Sequence, residues 1–285
     1  MIIVKLIGGL GNQMFQYAIG RSLAIKNNTE LKLDLSGYEN QQGIIPRNYS
    51  LGIFQIDSKI AGKEESFGLK YGSRFREILG YKKKSYLKEK MANKFDPGIL
   101  KATGNNYLEG YWQTEKYFLM IADIIRKEFE LRTEFNNLDK ELLKQIADCQ
   151  SVSLHVRRGD YVSNSKTNQF HGSCSLEYYQ DSIEYLKNKF GQIVLFIFSD
   201  DIEWVKENLQ TDQKMVFVSN DKLKDYEELI LMSKCKHNII ANSSFSWWGA
   251  WLNTNYDKQV IAPKYWFNNA HANINDIVPE NWIRI

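Results

Sequence analysis

The sequence predicts an α/β protein built on parallel sheets, and three observations predict it. Short β-branched apolar runs alternate along the chain with stretches of helical periodicity, as where I-V-L-F-I-F at 193–198 precedes a helical segment through Trp204 and Val205 to Leu209. Several of these runs are apolar throughout, as expected of strands covered on both faces. They also stop at polar clusters. In open α/β sheets ligands gather outside the carboxyl ends of the strands, so those clusters mark one edge as the candidate binding edge.

From the N-terminus, residues 2–7 read as a buried strand, Gly8-Gly9-Leu10-Gly11-Asn12-Gln13 as a tight turn and residues 14–26 as a helix, with Phe15, Ala18, Ile19, Ser22 and Leu23 at helical spacing. The turn matches a dinucleotide fingerprint only in part, because Met14 stands where a third glycine is required. It still offers close backbone approach and a helix N-terminus, with Asn12 at its tip as a site group or a helix cap. Residues 30–35 (E-L-K-L-D-L) alternate as a second strand, and residues 38–62 are irregular. Lys82-Lys83-Lys84 with Lys88 and Lys90 form a basic run, a solvated face or a contact with an anionic membrane surface. A short strand at 106–112 leads to helices at 114–129 and 138–149. Polar residues near 132–137 and Gln150 place the boundary, giving domains of 1–148 and 149–285.

In the second half, S-V-S-L-H-V at 151–156 reads as a strand running into Arg157-Arg158-Gly159-Asp160. Further strands at 193–198, 215–218, 238–241 and 259–262 end in Ser199-Asp200-Asp201, Ser219-Asn220-Asp221, Asn242-Ser243-Ser244-Phe245-Ser246 and Pro263-Lys264-Tyr265-Trp266. The intervening segments, including 226–235 and 247–253, are helical. A parallel sheet would gather all these clusters at one edge.

Composition narrows the classes. The 285 residues, 43% of them hydrophobic, suffice for two modest domains, and a net charge of +3 is too small to imply nucleic acid. Three cysteines, Cys149, Cys174 and Cys235, without a C-x-x-C pair suit free thiols in a reducing cytoplasm. The apolar N-terminus lasts one strand and is interrupted by Lys5, so it reads neither as a signal peptide nor as a span; a soluble, cytoplasmic protein is expected. Seven Trp and sixteen Tyr offer platforms for sugars or bases, or simply a core. The four histidines have no ligand spacing and the chain has no D-x-D triplet, so no metal is expected.

The edge chemistry suits a phosphate-bearing ligand. Guanidinium forks at Arg157 and Arg158 match phosphate oxygens, and the Ser243 and Ser244 hydroxyls lie where helix-start N–H groups bind anions. If a nucleotide diphosphate leaves a sugar, cations aimed at the leaving oxygens stabilise the transition state. A clip between the arginines and Asp160 is the structural alternative, and helix capping is that for Asp200-Asp201. For activating a hydroxyl, Asn12 is too weakly basic to do more than position it, and Asp160 is a further candidate.

Six segments together resemble bacterial α-1,2-fucosyltransferases of glycosyltransferase family 11: G-G-L-G-N-Q-M-F-Q-Y-A at 8–18, G-Y-W-Q-T-E-K-Y-F at 110–118, H-V-R-R-G-D-Y at 155–161, H-G-S-C-S-L-E-Y-Y at 171–179, F-S-D-D at 198–201 and H-N-I-I-A-N-S-S-F-S-W-W-G-A-W-L-N at 237–253. They span nearly the whole chain in the family's order. The resemblance implies a GT-B type fold, two Rossmann-like α/β domains with parallel sheets facing a cleft, the first on the acceptor side and the second binding the GDP-sugar. It implies inverting, metal-independent transfer of L-fucose from GDP-β-L-fucose to the 2-hydroxyl of a galactose, with O-antigen synthesis on a lipid-linked glycan and peripheral contact at the inner membrane face as the expected setting. Arg157 would contact the β-phosphate, His155 lie in the donor site and Ser243-Ser244 bind phosphate, with Arg158, Ser199, Asp200, Asn242 and Phe245 around them. Glu228 would read guanine where the pattern has Asp, and Asn12 would lie near the acceptor. Asp160 is expected to orient its loop and to stand in reserve as the base. A non-catalytic nucleotide- or glycan-binding protein is the alternative, and a Rossmann-type oxidoreductase comes third.

Overall fold

A computed structural model describes residues 1–39, 41, 46–78, 85–91, 93–133, 137–159, 172–267 and 275–285. The chain divides into two compact units, one of Met1–Thr133 with Asn275–Pro279, the other of Glu134–Ile274 with Glu280–Ile285. The expected boundary at 148 thus moves back to Thr133. The reason is packing: in the helix Asn137–Ala147 (α4 below), Ile146 is buried in the cluster that holds Phe196, Phe198 and Leu231, with Leu142 and Leu143 packed against it.

In the first unit β1 (Ile2–Lys5), β2 (Leu31–Asp34), β3 (Lys59–Ile60), β4 (Tyr86–Lys88) and β5 (Asn106–Glu109) form a parallel sheet in the order β3-β2-β1-β5-β4. Helix α1 (Leu10–Lys26) follows β1, α2 (Lys63–Ile78) follows β3 and α3 (Ala122–Glu128) follows β5. Burying both faces of β1 leaves Ile2, Ile3 and Val4 fully inaccessible, as the apolar run predicts. The helix expected over 114–129 is broken: two 3-10 turns, Glu115–Tyr117 and Leu119–Ile121, precede α3. Thr114 is extended and its side chain caps the Lys116 N–H, while Phe118 at φ −137° leaves the helical region.

The second unit adds α4 (Asn137–Ala147), β6 (Ser151–Val156), α5 (Leu176–Phe190), β7 (Val194–Ser199), α6 (Ile202–Asn208), β8 (Lys214–Phe217), α7 (Asp225–Lys234), β9 (His237–Ile239), α8 (Ser244–Leu252), β10 (Val260–Ala262) and β11 (Ile283–Arg284). Its sheet is parallel, in the order β11-β10-β9-β6-β7-β8. Six of the seven tryptophans are buried, four of them in one cluster of Trp247, Trp248, Trp251 and Trp282, so the tryptophans chiefly build the core. Helix α8 approaches α7 closely at Gly249, where a Cβ would lie 2.8 Å from the Met232 Cβ. The last segment serves both units. Asp276 accepts the Phe95 N–H at 2.9 Å and pairs with Lys116 at 2.7 Å in the first, and β11 completes the sheet of the second.

Candidate functional site

The sheet of the second unit reverses its winding at one point, between β6 and β9. Crevices at such points are where open α/β sheets bind ligands. The sequence-derived candidates of the second unit fall there.

In the second unit, Arg157 and Arg158 leave β6 while Ser243 and Ser244 leave β9, so they flank the reversal. Arg157 Nη1 lies 3.0 Å from Asp200 Oδ2, and the Arg158 N–H donates to Asp200 Oδ1 at 2.9 Å. Asp200 stands just past β7, whose register beside β6 pairs Val156 with Ser199. The guanidinium of Arg158 lies 3.7 Å over the Trp204 ring, with its Nε 3.4 Å from Asp201. Arg158 is thereby stacked and paired as scaffold, while Asp200 aligns Arg157. Asp201 also caps α6 through the Trp204 N–H, the role expected of this acidic pair. Gly159 packs so near that a Cβ there would sit 2.8 Å from Asp200 Oδ2. Asp160 lies outside the described residues, as does the run at Lys82 to Lys84.

His155 is buried on β6, with its ring 5.6 Å from Phe245. Burial, then the Arg157 charge, lowers its pKa to about 3, so the imidazole is neutral at physiological pH; its Nδ1 is buried without a hydrogen-bond partner among the described residues. Ser243 is the N-cap of α8, accepting the Phe245 N–H, and Ser244 opens the helix, so both stand at the positive end of its dipole. Asn242 is committed to the backbone, donating to Gly172 and Trp266 carbonyls at 3.0 and 3.1 Å. Beside it a cavity of about 390 Å³ is lined by Ser175, Glu177, Asp181, Lys264 and Tyr265 among others. Ser219, just past β8, accepts the Ser199 N–H and hydrogen-bonds Glu228, which brings Glu228 to the same edge. Burial raises the Glu228 pKa to about 7, and Asp225 and Asp200 push the same way.

In the first unit Asn12 caps nothing: the N-cap of α1 is Gly9. Its Oδ1 instead accepts the Gln113 side chain at 2.7 Å, joining the residues after β1 to those after the neighbouring β5. Gly8 must be glycine, being at φ +79° with a would-be Cβ 2.5 Å from Asn12 Nδ2. The sequence reading missed the buried amides that brace this turn. Gln16 accepts the Ile7 N–H and donates to Gly110, and Gln13 donates to Gly8 and Asn48 while accepting from Ser50. The signal was available in two glutamines three residues apart on a helix face otherwise apolar. Among the described residues no three His, Cys, Asp or Glu side chains gather to hold a metal, and no helix is long and apolar enough to cross a membrane.

A solved structure of an Arabidopsis thaliana FUT1 mutant in complex with GDP superposes with a TM-score of 0.51 at 9% identity, covering 91% of this chain and 69% of that one. Together with the two parallel units, that likeness defines the fold as GT-B type, the architecture of one large class of glycosyltransferases. Along the sequence, the "Alpha-1,2-colitosyltransferase" of Escherichia coli is 41% identical over 299 residues, covering 100% of this chain and 99% of the relative. The "O-antigen biosynthesis glycosyltransferase WbnK" of Escherichia coli is 34% identical over 304 residues, covering 98% and 99%. Residues 1–285 match the family described as Glycosyl transferase family 11. The chain belongs to that family, and it is a glycosyltransferase.

Proposed function

We propose that the protein transfers a fucose-type 6-deoxy-L-hexose, L-fucose in the first instance, from its GDP-β-L-sugar to the 2-hydroxyl of a galactose in O-antigen synthesis. The observation that carries this reading is the pair of elements flanking the β6/β9 reversal, Arg157 aligned by Asp200 on one side and the start of α8 on the other. In the proposed reaction the acceptor O2 attacks C1 and gives its proton to a base or to water, the bond from C1 to the β-phosphate oxygen breaks, and configuration inverts from β to α. Arg157, with Ser243 and Ser244, meets the charge growing on the departing diphosphate without a metal. Neutral His155 and Phe245 pack beneath this region. Glu228 reads guanine through its N1–H and N2–H₂ donors. Asn12 positions the acceptor hydroxyl, and Asp160 orients the loop after Arg158, with the base role in reserve. A lipid-linked acceptor would bring the protein to the inner membrane face.

The relative named for colitose, which is L-fucose without its 3-hydroxyl, makes the donor the first question. The test is GDP release from GDP-L-fucose and from GDP-colitose with a panel of β-galactosides, with and without EDTA. Turnover with either donor in EDTA is expected. No turnover with both donors across the panel would leave a non-catalytic nucleotide- or glycan-binding protein, and turnover abolished by EDTA would overturn the metal-free mechanism.

A further inference from the structure

Beyond the carboxyl ends of β4 and β5 the first unit holds a pocket of about 250 Å³, whose walls include Trp112, Tyr117, Phe95, Glu89, Met91 and Lys94. Its floor is aromatic. Trp112 meets Tyr117 edge-on at 5.6 Å, and Phe95 meets Tyr117 at 5.0 Å. Trp112 is held at φ +58°, in the left-handed region that a bulky side chain rarely adopts. Glu89 holds it there, taking the Tyr111 N–H at 2.7 Å and the Trp112 N–H at 3.2 Å. The indole Nε1 of Trp112 is buried with no hydrogen-bond partner among the described residues, so the pocket wall contains an unspent donor.

The turn that carries Trp112 into this wall also carries Gly110 onto Gln16 and Gln113 onto Asn12, at 3.1 and 2.7 Å. The pocket and Asn12 therefore share one four-residue support. Rings beside a carboxylate and an ammonium suit a pyranose, which offers C–H faces to stack and hydroxyls to pair. Drug-sized ligands occupy about 300–1,000 Å³, so a pocket just below that range suits a single ring.

We propose that this pocket is a subsite for one pyranose of the acceptor glycan, the sugar next to the reacting galactose. The proposal rests on the reading of the protein as a galactoside glycosyltransferase and adds where its acceptor is recognised. Met91 is 61% exposed, so it can be changed at little risk to folding. Saturation-transfer NMR would measure binding of β-galactosyl disaccharides to the wild type, Met91→Trp and, as a control outside the pocket at a 95% exposed residue, Met120→Trp without donor, alongside the melting temperature of each. Met91→Trp is expected to weaken disaccharide binding at least tenfold with its melting temperature kept, and Met120→Trp to bind as the wild type does. Equal binding by Met91→Trp and wild type, or no disaccharide binding by the wild type at millimolar concentration, would overturn the proposal. Because these arms read binding alone, they are decided separately from GDP release, on which the function itself depends. In turnover, Met91→Trp should raise the disaccharide KM at least tenfold, with the donor KM and the kcat within twofold.

Discussion

Asp200 holds both arginines of the R-R-G-D segment, Arg157 through an ion pair at 3.0 Å and Arg158 through its backbone N–H at 2.9 Å. One carboxylate past β7 thus sets the direction of the guanidinium that leaves β6. An ion pair that keeps 23% and 25% of its side chains exposed still reaches solvent and contributes on the order of 1 kcal/mol, so its purpose lies in alignment more than in stability. Arg157→Ala should therefore cost at least about a hundredfold in kcat, the scale of losing one preorganised donor, and shift the melting temperature little. A large loss of thermal stability with modest loss of turnover would assign the pair a structural role instead.

Glu228 supplies a pH signature. Its carboxyl is raised from 4.5 to about 7 by burial, so below that value the group is protonated and above it a carboxylate. Guanine N1–H and N2–H₂ need an acceptor, so affinity for a GDP-sugar, whose phosphates do not titrate in this range, should improve as pH rises through about 7. Stability runs the other way. The folded state holds this proton more tightly than the unfolded state, so the contribution is present below about 4.5 and is lost as pH rises to about 7. Glu228→Gln should flatten both profiles, which isothermal titration and melting curves from pH 5 to 8 would check. A donor-affinity profile unchanged in Glu228→Gln would remove Glu228 from guanine recognition.

Glu89 is the third test. Burial raises its pKa, while N–H groups of Tyr111, Trp112 and Asn93 pull it back, so the ionised form is bound to the turn it holds. In Glu89→Gln one amide oxygen replaces two equivalent acceptors and an NH₂ faces a backbone N–H. Unfolding titrations should show a loss of about 1–3 kcal/mol, the cost of leaving a buried donor unmet. Gln113 would shift with the turn and loosen Asn12, so kcat should fall as well; unchanged kcat would uncouple the turn from the site.

The second unit was the more legible in sequence because its strands are nearly continuous apolar runs, each ending in a polar cluster at the turn. Arg157, Ser199, Asp200, Ser243 and Ser244 could be assigned to one edge from that pattern alone, and the parallel register places them there. In the first unit β3 and β4 are two and three residues long, too short to give a periodic signal, and no element was assigned over the residues of α2. The bracing by Glu89, Gln13 and Gln16 was hidden for a different reason. A buried amide or carboxylate looks like any surface polar residue until its backbone partners, far off in sequence, are known. Asp201 was read correctly as a cap because its partner lies three residues away.

The return of Asn275–Pro279 to the first unit has a consequence for anyone who would cut or recombine the chain. The polypeptide passes from one unit to the other after Thr133, after Ile274 and after Pro279. A fragment ending at 133 lacks Asp276 and with it the partner of Lys116 and of the Phe95 N–H; a fragment beginning at 134 carries five residues whose companions are missing. Exchanging the second unit between relatives therefore takes three junctions, and a chimera joined at a single crossover would be assembled from two incomplete parts.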